Sequence, residues 1–368
     1  MSEGILTLNG LTVGYDGAPV QRGVDLSLAR GEIVALIGPN GGGKSTILKT
    51  AARRLGPLGG AVLLDGADIA GLSAHALAKA MAVVLTERAD PELTTCFDFV
   101  AAGRYPHTGR FGMLSDRDRR AVRDAMEAVG CAALAERDAA RISDGQRQRL
   151  VIARALCQEP RVMLLDEPTS FLDIRHKLAL VTLLRTLARA RGIAMLVSMH
   201  EIDLAQRLAD RVLCVSGDAP GPAGRPEDVF TRANIQALYG LPEGAYDPVT
   251  GGVELPRVTG APRALVLSSG GSGVSVYRAL QREGVPFAAA ILRPGELDHH
   301  LAMLLAVETV EERPYVPLGR DAVERALALV KACDRVIDAG VCTDGVNEGM
   351  KEVLDAAKGM GKLQGART

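Results

Sequence analysis

Five consecutive apolar residues, Ile33–Ile37 (IVALI), run directly into a glycine-dense loop. The loop and its continuation read Gly38, Pro39, Asn40, Gly41, Gly42, Gly43, Lys44, Ser45, Thr46, and Ser45–Leu55 then carries a helical pattern. A buried strand that ends in glycines and reopens as a helix commits the chain to a layered α/β arrangement. The spacing matches G-x-x-x-x-G-K-[ST] in the strand–loop–helix context that the pattern requires. Glycines let backbone N–H groups curve round phosphate oxygens with no Cβ in the way. The helix N-terminus adds partial positive charge. Lys44 is placed to reach the β and γ phosphates of ATP, and the Ser45 hydroxyl to bind Mg²⁺.

A second apolar run, Val162–Leu165, delivers Asp166 and Glu167 at its end. Open α/β sheets bind ligands at the C-terminal ends of their strands. There Asp166 is suited to hold Mg²⁺ through water and Glu167 to polarise an attacking water. A third strand is expected at Ala194–Ser198, and apolar strands alternating with helices predict a mainly parallel sheet. Arg117–Val129 reads as an exposed helix within a helical insertion. Ser216–Pro226 and Leu241–Gly252 read as loops rich in Gly and Pro.

The Pro256–Pro262 stretch (PRVTGAP) predicts a boundary between residues 1–256 and 257–368. Beyond it, strands at Ala264–Leu267, Phe287–Leu292 and Arg335–Ala339 alternate with helices at Val274–Glu283, Asp321–Ala332 and Asn347–Lys358. That pattern predicts a second, small α/β domain of Rossmann-like type. Ser268–Gly273 (SSGGSG) lies between a strand and a helix, and reads either as an anion cradle or as a plain turn. His299 and His300 are adjacent and so diverge, which favours a solvated pair over a metal site. Gly340–Asn347 follows the last expected strand, at the edge where a small ligand could be sensed.

Lys plus Arg total 43 and Asp plus Glu 44, so no electrostatic surplus recommends nucleic acid as a partner. Aromatic residues are only 3% of the chain, which also argues against a base-stacking surface. The cysteines, Cys96, Cys131, Cys157, Cys214, Cys333 and Cys342, form no C-x-x-C pair and read as reduced, mostly buried thiols. No apolar run approaches the ~18 residues of a membrane helix, and the N-terminus lacks a signal-peptide pattern. Any association with a membrane is therefore expected to run through a partner.

Further segments carry a family resemblance. Ile142-Ser143-Asp144-Gly145-Gln146 resembles the signature L-S-G-G-Q of ABC ATPases, and Ser170-Phe-Leu-Asp173 resembles their D-loop. His200 follows its strand as the family's switch histidine does, and Tyr15 precedes the P-loop where an aromatic stacks on adenine. The chain is similar to ABC ATPases over roughly its first 250 residues. The resemblance implies a mixed, mainly parallel sheet with a helical subdomain. It makes Lys44, Glu167 and His200 the catalytic group. It also implies that the signature residues Ser143, Asp144, Gly145 and Gln146, with Asp173, act in trans on ATP bound to a second copy. A homodimer sandwiching two ATPs is expected. Departures from the pattern are Ile142 for Leu, Asp144 for Gly, and Glu87 (in Val83-Val-Leu-Thr-Glu87) where a Mg²⁺-binding glutamine is usual. A carboxylate can also ligate Mg²⁺, so the metal set becomes Ser45, Glu87 and Asp166.

Within the family, Val100–His107 (VAAGRYPH), Glu167–Asp173 and His200–Leu204 resemble importers of iron–siderophore, heme or cobalamin type. The resemblance implies integral-membrane permease subunits as partners, with Arg104–His107 near the permease. It implies an extracytoplasmic substrate-binding protein as an indirect partner, and a place on the cytoplasmic face of the membrane. Two rival readings are a soluble ABC ATPase and a nucleotide-gated regulatory module. One P-loop and the absence of a heptad run weigh against the first, and Glu167 against the second.

Overall fold

A computed structural model describes residues 4–85, 94–109, 112–242, 245–249 and 251–365. The chain divides between Phe230 and Thr231 into two units, each with its own apolar core.

The first unit is built on a six-stranded sheet of order β10-β9-β3-β8-β7-β6. Its strands are β3 (Ile33–Ile37), β6 (Met81–Val84), β7 (Val162–Asp166), β8 (Ala194–Met199), β9 (Arg211–Ser216) and β10 (Ala219–Gly224). All pairs are parallel except β9 with β10. β3, β7 and β8 are buried along their whole length, as strands covered on both faces must be. Their register aligns Ile37 with Met199 and Asp166 with Ser198, so the phosphate loop, His200 and the two carboxylates leave the sheet at one edge.

A four-stranded antiparallel sheet, order β2-β1-β4-β5, packs beside it. It comprises β1 (Leu6–Tyr15), β2 (Ala18–Leu28), β4 (Gly59–Leu64) and β5 (Ala67–Asp68). Helix α1 (Lys44–Ala51) buries Ile47 and Leu48 in the core shared by these sheets, against Leu6, Leu8, Leu36 and Leu196. The other helices of the unit are α2 (Ala74–Ala80), α3 (Cys96–Ala101), α4 (Asp116–Ala128), α5 (Asp144–Cys157), α6 (Ile174–Arg191), α7 (Ile202–Leu208) and α8 (Pro226–Val229). The expected loop at Ser216–Pro226 contains strand β10. Proline is compatible with an edge strand, and Pro220 and Pro222 lie on the edge of this sheet.

Helices α3, α4 and α5 pack on one another as the helical subdomain. Arg104, expected near a permease, is withdrawn from the surface at 1% exposure. Its guanidinium meets Asp118 at 3.0 Å, Glu159 at 2.8 Å and the Cys157 carbonyl at 2.7 Å. Of its neighbours, Tyr105 is the exposed one.

The second unit opens with α9 (Arg232–Tyr239) and a short hairpin, β11 (Tyr246–Asp247) and β12 (Gly252–Val253). The domain boundary therefore lies upstream of Pro256–Pro262. The reason is packing: Glu254 pairs with Arg278 and the Leu255 carbonyl accepts from Gln281 at 2.6 Å, which ties this stretch to the second unit. A five-stranded parallel sheet follows, with order β15-β14-β13-β16-β17. Its strands are β13 (Ala264–Leu267), β14 (Phe287–Leu292), β15 (Glu308–Glu311), β16 (Arg335–Asp338) and β17 (Leu363–Gly365). Helices α10 (Val274–Arg282), α11 (Leu297–Leu305), α12 (Arg320–Ala332) and α13 (Met350–Gly359) connect them. In order of appearance the strands run 3-2-1-4-5, the doubly wound arrangement of a Rossmann-like sheet.

Candidate functional site

Gly43, Gly42 and their neighbours leave β3 and turn into α1, whose first residue is Lys44. Gly43 has φ of 99°, and a Cβ there would lie 2.8 Å from Cγ of Gln21, so only glycine fits. Gln21 is fully buried and donates from Nε2 to the Gly42 carbonyl at 3.0 Å and to the Gly217 carbonyl. It fastens the loop to β2 and to the β9–β10 turn. Lys44 is buried and donates from Nζ to the carbonyls of Gly38 at 2.7 Å and Pro39 at 2.8 Å. Burial lowers its pKa, against the opposing pull of Glu167 and Asp166. An ammonium held on neutral carbonyls beside two carboxylates is ready to exchange those carbonyls for phosphate oxygens.

At the end of β7, Asp166 Oδ1 accepts from Ser45 Oγ at 2.9 Å and from Ser198 Oγ at 2.6 Å. Glu167 has φ of 48°, and its N–H donates to Ser198 Oγ at 2.9 Å. Strained backbone of this kind is held by its surroundings and gathers at working sites. The carboxylate of Glu167 is held at both oxygens, Oε2 by Ser170 Oγ at 3.0 Å and Oε1 by His200 Nε2. His200 in turn follows the end of β8, the strand adjacent to β7. Ser45 and Asp166 place two hard oxygen donors within hydrogen-bonding reach, a donor set that fits Mg²⁺. Glu87 lies outside the described residues. Tyr15, half-exposed, pairs with Ala18 at the tip of the β1–β2 hairpin, whose second strand carries Val20 and Gln21 against Gly43.

The signature residues stand at the start of α5. Ser143 caps the helix, accepting from Gln146 N–H at 3.3 Å, while Gln146 Oε1 accepts from Ser143 N–H at 3.1 Å. This capping box accounts for serine and glutamine at that spacing. Asp144 lines a cleft of about 300 Å³ together with Asp166, Glu167 and Ser170. Ser143 and Gly145 instead line a separate hollow of about 270 Å³, beside Gln146, Arg149, Arg175 and His176. Asp173 caps α6 and accepts on Oδ1 from both the N–H and Nδ1 of His176, each at 2.9 Å, which holds its carboxyl below the usual range.

Three contributors were missed from sequence: Gln21, Ser198 and His176. A hydroxyl inside the otherwise apolar run Ala194–Met199 was the readable sign of Ser198. Nothing in the pattern of β2 distinguishes Gln21.

In the second unit, the glycine loop is already filled. Asp298, fully buried, accepts from Gly271 N–H and Gly273 N–H at 2.8 Å each. An internal carboxylate takes the donors that an external anion would need. His299 Nε2 lies 3.6 Å from Glu311, and the two histidine rings stand edge to face at 5.8 Å.

Strand–loop–helix geometry, a buried lysine and paired strand-end carboxylates define a P-loop ATPase. A family model for ABC transporters matches residues 21–170, and one for the MJ0874 family matches residues 287–363. The ABC transporter ATP-binding protein MJ0873 of Methanocaldococcus jannaschii is 44% identical over 277 residues, covering 75% of this chain and 96% of that protein. The cobalamin import ATP-binding protein BtuD of Halobacterium salinarum is 34% identical over 320 residues, covering 85% and 80% respectively. A solved ABC transporter of metal-chelate type, in an inward-facing conformation, superposes with a TM-score of 0.58 at 26% identity, over 65% of this chain and 90% of that one. The chain belongs to the ABC transporter ATP-binding proteins, and its activity is ATP hydrolysis.

Proposed function

We propose that this chain powers an ABC importer for a metal chelate, of iron–siderophore, heme or cobalamin type. The observation that carries the subclass is the similarity to a cobalamin import protein over 320 residues, more than the 230 residues of the first unit can hold. The importer relative therefore shares part of the second unit as well. In this reading the chain sits at the cytoplasmic face of the membrane on permease subunits, with an extracytoplasmic binding protein delivering the chelate.

The working unit is two copies. Ser143 and Gly145 open onto a different hollow from the one holding Asp166 and Glu167, which supports a reading in which the signature of one copy completes the site of the other. In each copy the loop N–H groups of Asn40–Gly43, with Lys44, take the phosphates, and Tyr15 lies against adenine. Ser45 and Asp166 would hold Mg²⁺, with Glu87 proposed as a further ligand. Bound there, the ion would offset phosphate charge. Glu167 accepts a proton from water as the water oxygen attacks the γ-phosphorus. The bond from γ-phosphorus to the bridging oxygen breaks, and ADP and phosphate leave. His200 and Ser170 fix the carboxylate for this step. The second copy supplies Ser143, Gly145, Gln146 and Asp173, whereas Asp144, expected to act in trans with them, lines the carboxylate cleft of its own copy.

Two measurements test the reading. Glu167→Gln should lower turnover by about a hundredfold or more while ATP binding persists, because the base is lost and the phosphate cradle is not. The full-length chain, purified from membranes of its native host, should bring a multi-span permease with it. Full turnover by a strictly monomeric enzyme, or preparations without a permease, would count against the proposal.

A further inference from the structure

The hollow at the start of α5 is roofed by a residue that the family pattern does not mark. A Cβ on Gly145 would lie 2.5 Å from Cδ2 and 2.8 Å from Nε2 of His176. The imidazole therefore rests directly on the signature backbone, in space that any other residue at position 145 would fill. The opposite side of the ring is fixed, because Nδ1 lies 2.9 Å from Asp173 Oδ1. Asp173 closes the segment that starts at Glu167, and Ser170 of that segment binds Glu167 itself. This geometry also explains why the two signature glycine positions are unequal. Position 144 carries Asp and lines the open carboxylate cleft, whereas position 145 lies under the ring.

We propose that His176 is a positioning residue for the ATPase reaction, locking the signature turn to the Glu167–Asp173 segment of the same chain. The proposal rests on the two-copy reading above. There, Glu167 serves the ATP bound to its own copy, and Ser143 serves the ATP bound to the other. A ring that joins the two segments makes the state of one site felt at the other. His176 touches neither water nor phosphate in this scheme, and acts through Gly145 and Asp173.

The test uses the full-length chain. Glu167→Gln with ATP and Mg²⁺ is first examined by light scattering. A dimer supports the two-copy reading, and a chain that stays monomeric overturns it and the role of His176 together. With the dimer established, His176→Ala is expected to lower kcat roughly ten- to a hundredfold, as a displaced supporting group does. KM for ATP should change less than about twofold, and the Hill coefficient should fall towards one. His176→Asn keeps a donor for Asp173 but leaves Gly145 uncovered, and should recover activity only in part. Gly145→Ala should be severe alone, yet add little in the His176→Ala background, where the added methyl has room. Thermal melting of each variant separates misplacement from unfolding. Wild-type kcat and Hill coefficient in His176→Ala would overturn the proposal, as would strictly additive losses in the double variant.

Discussion

Single side chains here are read best by what holds them. Burial pushes the thiols of Cys131, Cys214 and Cys333 up to about 11 and that of Cys157 to about 12, whereas Cys342 is exposed. A raised pKa and lost access both suppress thiolate chemistry. The native chain is therefore expected to take up one equivalent of iodoacetamide at neutral pH, on Cys342, and six after denaturation. Mass spectrometry of the labelled protein checks this. The phosphate loop was legible because its chemistry needs consecutive residues in a fixed spacing. Gln21 was not, because the Gly42 and Gly217 carbonyls that give it meaning come from elsewhere in the chain. Asp298 escaped for the same reason: SSGGSG reads as a turn or a cradle until a carboxylate from another helix is seen inside it.

Among the elements, α4 and α5 depend on one buried cation. Arg104 joins the Asp118 and Glu159 carboxylates to the end of α5. The hydrogen bond from Ser115, helped by Arg104, holds the Asp118 carboxyl below its usual range, and Arg104 does the same for Glu159. Carboxyls lowered on folding add stability that is present above the ordinary carboxylate range and is lost as pH falls through their lowered values. Arg104→Met should cost about 3 kcal/mol or more, because it strands a buried carboxylate. Its stability should also depend less on pH below the carboxylate range. Urea titrations at neutral and acid pH measure both effects. The charged, alanine-rich run predicts α4 to within a residue at each end, because thirteen residues are enough to show a helical period. The strands β15 and β17 are not legible in the sequence, because four and three residues are too few to show a period. Proline hid β10, since only its edge position makes those residues acceptable.

For the whole molecule, the order of strands decides where chemistry can occur. β3, β8 and β7 are consecutive in the sheet though distant in sequence, and only that order gathers Lys44, His200 and Glu167 at one edge. Alternating strands and helices made the fold class legible, while this strand order was not readable from local pattern. The second unit has the same kind of edge but has closed it with Asp298. Asp298→Gly should lower its melting temperature, since two buried N–H groups lose their acceptor at a cost of ~1–3 kcal/mol each. Inorganic phosphate should restore part of that loss in the variant and leave the wild type unmoved. Thermal melting with and without phosphate reports the result, and an unchanged variant would mean that the carboxylate is dispensable.

β10 bears on how copies of the chain can meet. A sheet that ends in a strand carrying Pro220 and Pro222 lacks the amide hydrogens at those positions that another strand would need for docking. Growth of the sheet from molecule to molecule is blocked on that side. Fibre-like stacking through that edge is thereby disfavoured.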